Sequence, residues 1–157
     1  MPLLTCEELN AVWIVKKRLE REQRNLVDLR LMAEPSPPPL DGLPNAKSLT
    51  YKVERIATLI VESQQLIERL GDMLAQRKFE LLRKLQAFQL NELQQRVLSY
   101  HYVACLKFAD IARLMNFTKD YILFLHRHAL KALGLSVELM NQCKKSSDKN
   151  FSCQFVV

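Results

Sequence analysis

The sequence predicts an all-α protein: a long N-terminal helical hairpin followed by a compact C-terminal unit of three shorter helices. Three observations lead there. Only three glycines occur in 157 residues, and five of the six prolines crowd into residues 35–44, so two long stretches carry almost no helix breakers. Apolar residues recur at three- and four-residue steps, the period of a helix, rather than alternating as in a strand. Hydrophobic side chains make up 48% of the chain, enough for one substantial core, or for one small domain together with a hairpin.

The N-terminal helix is expected over residues 1–33. Thr5 followed at the third position by Glu8 has the form of a capping box, and Glu7 and Glu8 suit the positive end of a helix dipole. Val12, Val15, Leu19, Leu26 and Leu29 keep alternating three- and four-residue spacing, interrupted by Glu22, as in a coiled-coil seam. The basic run over residues 16–24 falls mostly on other faces. It reads first as a solvated surface, with contact to phosphates or to an acidic polymerase surface left open.

Residues 34–48, EPSPPPLDGLPNAKS, cannot stay helical and form the linker. A second long helix is expected over residues 49–90, starting near Ser48 and reaching about Phe88, with Gly71 its only strong interior weak point. Ile56, Ile60, Ile67, Leu70, Leu74 and Leu81 hold heptad-like spacing, and Leu59, Leu66 and Met73 widen the stripe. One helix cannot bury that stripe alone. The first helix folding back across the linker gives an antiparallel hairpin, and pairing of the remainder with a second copy makes a homodimer the expected state, although the hairpin alone also satisfies the pattern.

Residues 91–135 carry the most specific pattern. Asn91 is a good N-cap with Gln94 at the reciprocal position. Val97, Leu98, Tyr102, Ile111, Ala112, Leu114, Ile122, Leu125, Ala129, Leu130 and Leu133 recur at helical spacing, with register breaks near residues 105–107 and 116–118, which gives three helices and two tight turns. Phe108, Ile111, Ala112 and Met115 share one face, where small Ala112 permits a close helix crossing. Asn116 tolerates a left-handed backbone at the turn, and Thr118 can cap the last helix. This is the shape of a helix-turn-helix, which presents its last helix to a DNA major groove while the preceding helix braces it.

These residues carry a resemblance. The stretch FADIARLMNFTKDYILFLHRHALKAL resembles the helix-turn-helix of sigma-factor region four, in which an apolar-Ile-Ala-x-x-Leu/Met helix precedes a short turn and the recognition helix ends in His-Arg-Ala-Leu-Lys. Arg127, His128, Ala129, Leu130 and Lys131 take that ending with small changes. With two long helices before it, the chain is similar over roughly residues 5–135 to phage-encoded, sigma-like transcriptional regulators of the RinA and ArpU type. The resemblance implies double-stranded DNA as partner, host RNA polymerase as a second contact, and activation of phage or prophage late genes in the bacterial cytoplasm.

It also implies a recognition helix over residues 118–133, with Lys119, Asp120, Tyr121, Leu123, Phe124 and Arg127 on or near its DNA-facing side. Lys119, Arg127, His128 and Lys131 would meet the phosphate backbone, while Asp120 and Tyr121 are candidates for base edges. Leu123 and Phe124 stand where related recognition helices often carry Lys, Ser, Gln or Arg. They either touch thymine methyl groups or, with Tyr121, form an apolar surface for a protein partner. The second alternative makes the chain a non-enzymatic helical adaptor or inhibitor.

Charge is compatible with DNA without requiring it. The net charge is +6, and from Asn91 onward nine Lys/Arg face five Asp/Glu, a surplus of four beside the proposed motif. His126 falls on the inner side of the last helix and reads as a packed histidine rather than an acid, base or ligand. Tyr100, Tyr102 and Phe108 read as core aromatics. His101 and His128 have no Cys or carboxylate at metal-ligand spacing, and Cys6, Cys105, Cys143 and Cys153 form no CxxC or Cys/His cluster, so reduced thiols, no metal and no cofactor are expected. Nothing resembles a phosphate-binding glycine loop, a paired acidic motif or a nucleophile elbow, which argues against an enzyme. No signal-like start or membrane-length apolar run is found, so a protein that stays in the cytoplasm and meets no membrane is expected. In the tail, residues 136–157, a short helix is expected over 136–142, followed by the polar KKSSDKN and the apolar FSCQFVV, which either adds to a partner surface, docks on the core or packs poorly.

Overall fold

The computed structural model describes residues 4–34 and 46–135, together with residue 138. The fold is all-α. Among the described residues five α-helices follow in order: α1 (Cys6–Ala33), α2 (Ala46–Ala87), α3 (Glu92–Leu98), α4 (Phe108–Met115) and α5 (Lys119–Ala132), with a π-helical turn (Ser99–Val103) directly after α3. No strand occurs among the described residues. The expected tail features, Cys143, Cys153 and linker residues 35–45 lie outside the described residues.

One boundary shifts from the sequence expectation. Helix α2 begins at Ala46 rather than near Ser48, because Ala46 and Lys47 are good helix formers once the last proline is passed. It runs through Gly71 without a break, and the roughly 1 kcal/mol that a glycine costs a helix interior is absorbed over so long a helix.

The chain divides into two compact units, one comprising Met1–Val15 with Leu74–Val157 and the other Lys16–Met73. In the Lys16–Met73 unit the seam positions of the sequence reading are the ones withdrawn from solvent. Leu19, Leu26 and Leu29 of α1 and Ile56, Ile60 and Ile67 of α2 are half-buried, and Leu70 is buried. Two polar residues join them: half-buried Glu22, which accepts from Asn25 Nδ2 at 3.4 Å, and buried Ser63. Of the flanking residues Leu66 is half-buried as well, whereas Leu59 and Met73 remain exposed.

The other unit has two apolar clusters. The first joins Leu9 and Val12 of α1, Leu81 and Leu85 of α2, Leu98 of α3, Tyr102, and Ala129 and Leu130 of α5. The second joins Val97, Ile111, Ala112, Ile122 and Leu125. Helix α5 feeds both, so its inner face is covered along nearly its whole length. Leu9, Leu85, Leu98, Ile111, Ile122 and Leu130 are fully buried, each contributing about 1.5–3 kcal/mol of transfer free energy.

The start of α1 is fixed by its capping box. Thr5 N–H donates to Glu8 Oε2 at 3.0 Å and Glu8 N–H donates to Thr5 Oγ1 at 3.3 Å. The other Glu8 carboxylate oxygen forms an ion pair with Lys84 of α2. The Lys84 ammonium, helped by the Thr5 N–H, holds the Glu8 carboxyl below the usual carboxylate range.

Candidate nucleic-acid interface

Helix α5 is positioned by three chain reversals, each built on a left-handed residue. At the first, the N–H of Ala104 donates to Ser99 O at 3.0 Å and that of Leu106 to Tyr100 O at 3.0 Å, and Cys105 has φ 56°. The sequence shows a register break here but not the π-helical widening. At the second, Asn116 has φ 56° and ψ 41°; its N–H donates to Arg113 O at 3.4 Å and the Phe117 N–H donates to Ala112 O at 3.0 Å, which completes a Schellman motif. At the third, Gly134 has φ 75°, and the N–H of Leu135 reaches Leu130 O at 2.9 Å.

The caps stand where the sequence puts them. Asn91 N–H donates to Gln94 Oε1 at 3.3 Å, starting α3. Thr118 Oγ1 accepts from Tyr121 N–H at 3.4 Å, starting α5 three residues after α4 has ended. Ala112, 6% exposed, sits in the second cluster beside Ile122 and Leu125 of α5, as a close crossing requires.

Behind α5 lies a group of aromatic and imidazole rings. Tyr102 Oη and His126 Nε2 are 2.9 Å apart in a hydrogen bond, with Tyr102 only 1% exposed and His126 7%. Burial, and secondarily the neighbouring Cys6, pushes the Tyr102 hydroxyl above the ordinary tyrosine range. His101 Nδ1 lies 2.9 Å from Leu106 O, and its ring stacks on Phe108 at 4.2 Å. Trp13 Nε1–H donates to His101 O at 3.0 Å, fastening α1 to the π-helical turn. His126 and Tyr102 are thus packed residues of the core, and Tyr100 and Phe108 are half-buried against the second cluster. The contribution of Trp13 has no local signal in the sequence, because its partner is 88 residues away.

The outer face of α5 is open. Lys119, Asp120, Arg127, His128 and Lys131 are exposed, and Lys119, Arg127 and Lys131 form no ion pair among the described residues. Tyr121 and Phe124 are 38% and 52% exposed, whereas Leu123 is half-buried. Their rings do not stand singly. Phe117 and Tyr121 are 5.0 Å apart, Tyr121 and Phe124 6.2 Å, and Phe124 and His128 4.2 Å between ring centroids, so three rings of α5 and the ring of Phe117, in the turn before it, form one stripe.

Phe117 was not among the expected site residues; its signal is its place directly before the Thr118 cap, from which an apolar side chain can pack on the first turn of the helix it precedes. Leu114, expected in the apolar pattern of the core, is instead exposed, since the two turns of α4 bury only the side carrying Ile111 and Ala112. Arg113 beside it is exposed, with a loose 3.9 Å contact to Asp110.

Among the described residues no group of three or more His, Cys, Asp or Glu side chains is placed to hold a metal ion. No helix of the described residues is long and apolar enough to cross a membrane. Cys6 and Cys105 are thiols, not a disulfide. In comparisons with known proteins, no family model, no curated protein sequence and no solved structure matches this chain.

Proposed function

We propose that the chain is a DNA-binding transcriptional regulator in which α4, the turn at Asn116 and α5 act as a helix-turn-helix and α5 enters the major groove. The observation that carries it is the division of α5 into a fully packed inner face and an outer face bearing Arg127 and Lys131, with Lys119 exposed at the first helical position and none of the three in an ion pair among the described residues. Cations with no partner inside the fold suit phosphate oxygens. Asp120 and Tyr121, on the first turn of α5, are the side chains nearest to base edges when a recognition helix docks by its N-terminal end. The likeness of this stretch to sigma region four supports a narrower form: a phage or prophage regulator, cytoplasmic in its bacterial host, activating late genes through promoter DNA and RNA polymerase, as a homodimer over two half-sites and without catalysis or cofactor.

The test is fluorescence anisotropy of the full chain on duplex DNA, random and promoter-derived, across a salt series. Affinity should fall steeply with salt, and Lys119→Glu with Arg127→Glu should weaken binding and lower the slope of log affinity against log salt by about 2. Absence of binding at low salt, or affinity unchanged by the double reversal, refutes the proposal.

A second function has its own observation, the exposure of Tyr121 and Phe124. In it the chain is a helical adaptor or inhibitor that grips a protein through Tyr121, Leu123 and Phe124. Loss of a pulled-down partner on Leu123→Asp and Phe124→Asp, with no loss on the charge reversals, selects the adaptor.

A further inference from the structure

The ring stripe asks for an occupant. Tyr121 and Phe124 contribute nothing to either apolar cluster, yet Phe117, Tyr121, Phe124 and His128 hold one another in ring-to-ring contact on the open side of α5. Three features limit what can lie on it. The stripe is apolar in the middle; Arg127 and Lys131 lie beside it on the outer face of α5, with Asp120 the one carboxylate among them; and Arg113 is exposed at the end of α4. A second copy meeting the same face would bring together two surfaces of like net charge, since Arg113, Arg127 and Lys131 outnumber Asp120 on each, which disfavours a symmetric pairing there. An occupant that is anionic at its edges and apolar at its centre fits instead.

A DNA major groove containing thymines has that pattern: phosphates line both edges, and the 5-methyl group of thymine is the one apolar projection on its floor. We propose that Tyr121 and Phe124, backed by Phe117 and His128, read thymine methyl groups, so that the preferred duplex carries thymine opposite the centre of α5. This inference rests on the DNA-binding proposal and specifies its base preference. It also gives the four contiguous rings a purpose that phosphate contacts alone would not, since a purely electrostatic surface gains nothing from buried-sized aromatics left in solvent.

The experiment removes only the methyl groups. Full-length protein selects duplexes from a random-sequence pool, and the enriched duplexes are then made with deoxyuridine in place of thymidine, which preserves pairing and phosphate charge. Affinity should fall about fourfold for each methyl in contact, with the salt slope unchanged. Phe124→Ala with Tyr121→Ala should bind thymine and uracil duplexes alike, with an unchanged Trp13 emission spectrum showing that the core is intact. Equal affinity of the wild-type chain for both duplexes, with steep salt dependence retained, overturns methyl readout and leaves DNA binding standing. Failure to enrich any duplex overturns both. A uracil penalty that survives in the double variant overturns the assignment to these two residues.

Discussion

Replacing Tyr102 by Phe isolates one buried hydrogen bond that seats α5 on the rest of its unit. The hydroxyl is 2.9 Å from His126 Nε2, and the two residues are 1% and 7% exposed, so neither atom can turn to water when the other is removed. The phenyl ring fills nearly the same volume, which keeps a cavity contribution small. What remains is the lost bond and the desolvated ring nitrogen left facing carbon, together about 1–3 kcal/mol. With a urea m-value of about 1–3 kcal/mol/M, the midpoint should fall by roughly 0.5–1 M at unchanged m. Fluorescence reads this locally, because the chain has a single tryptophan and Trp13 belongs to the same ring group as Tyr102. A cycle with His126→Leu should return a coupling of about 1–2 kcal/mol. A midpoint unmoved in Tyr102→Phe, or a coupling near zero, would show that α5 is held by its apolar face alone.

Three other perturbations follow from the same structure. Because burial raises the Tyr102 hydroxyl above its unfolded value near 10, the folded state holds that proton more tightly; its stability is complete below about pH 10 and declines above, so the gap between wild type and Tyr102→Phe should narrow in alkaline urea titrations. Glu8 has the opposite sign: its carboxyl is held low, so the stability it adds is present above about pH 4.3 and lost as pH falls through the folded value. With the paired Lys84 and Glu8 side chains 39% and 38% exposed, Glu8→Gln should cost less than about 1 kcal/mol at neutral pH and nothing in strong acid, measured by urea midpoints. Asn116→Val places a β-branched residue at φ 56° and should cost about 1–2 kcal/mol in thermal or urea unfolding, whereas Asn116→Gly should stay near wild type.

What the sequence revealed was local. Thr5 with Glu8, Asn91 with Gln94, the Thr118 cap and the left-handed Asn116 all act within three or four residues of themselves, so their chemistry is visible without knowing the fold. The inward placement of Tyr102 and His126 followed from helical spacing alone. Contacts between distant segments were invisible: Trp13 to His101, and Glu8 to Lys84, join residues 88 and 76 positions apart. The π-helical turn was hidden for a different reason. It differs from an α-helix only in which carbonyl each N–H selects, and SYHYV has no residue that forbids either choice. Periodicity also located a stripe without deciding which side of a short helix is covered, which is why Leu114 ends in solvent.

The two sides of α5 contribute very differently to the fold. Ile122, Leu125, Ala129 and Leu130 close two apolar clusters at once, so a truncation such as Leu130→Ala takes several kcal/mol from the fold, about 2–5 by analogy with other buried leucines. Phe124, more than half exposed and outside both apolar clusters, contributes little there, and its loss should change stability by no more than about 0.5 kcal/mol. A side chain of that size left in solvent at so low a return in stability is the observation on which the proposed contact of α5 with DNA depends. The tight turns at Asn116 and Gly134 then matter beyond helix termination: they fix both ends of α5, so that the stripe and its bordering cations are presented as one rigid surface rather than assembled on contact.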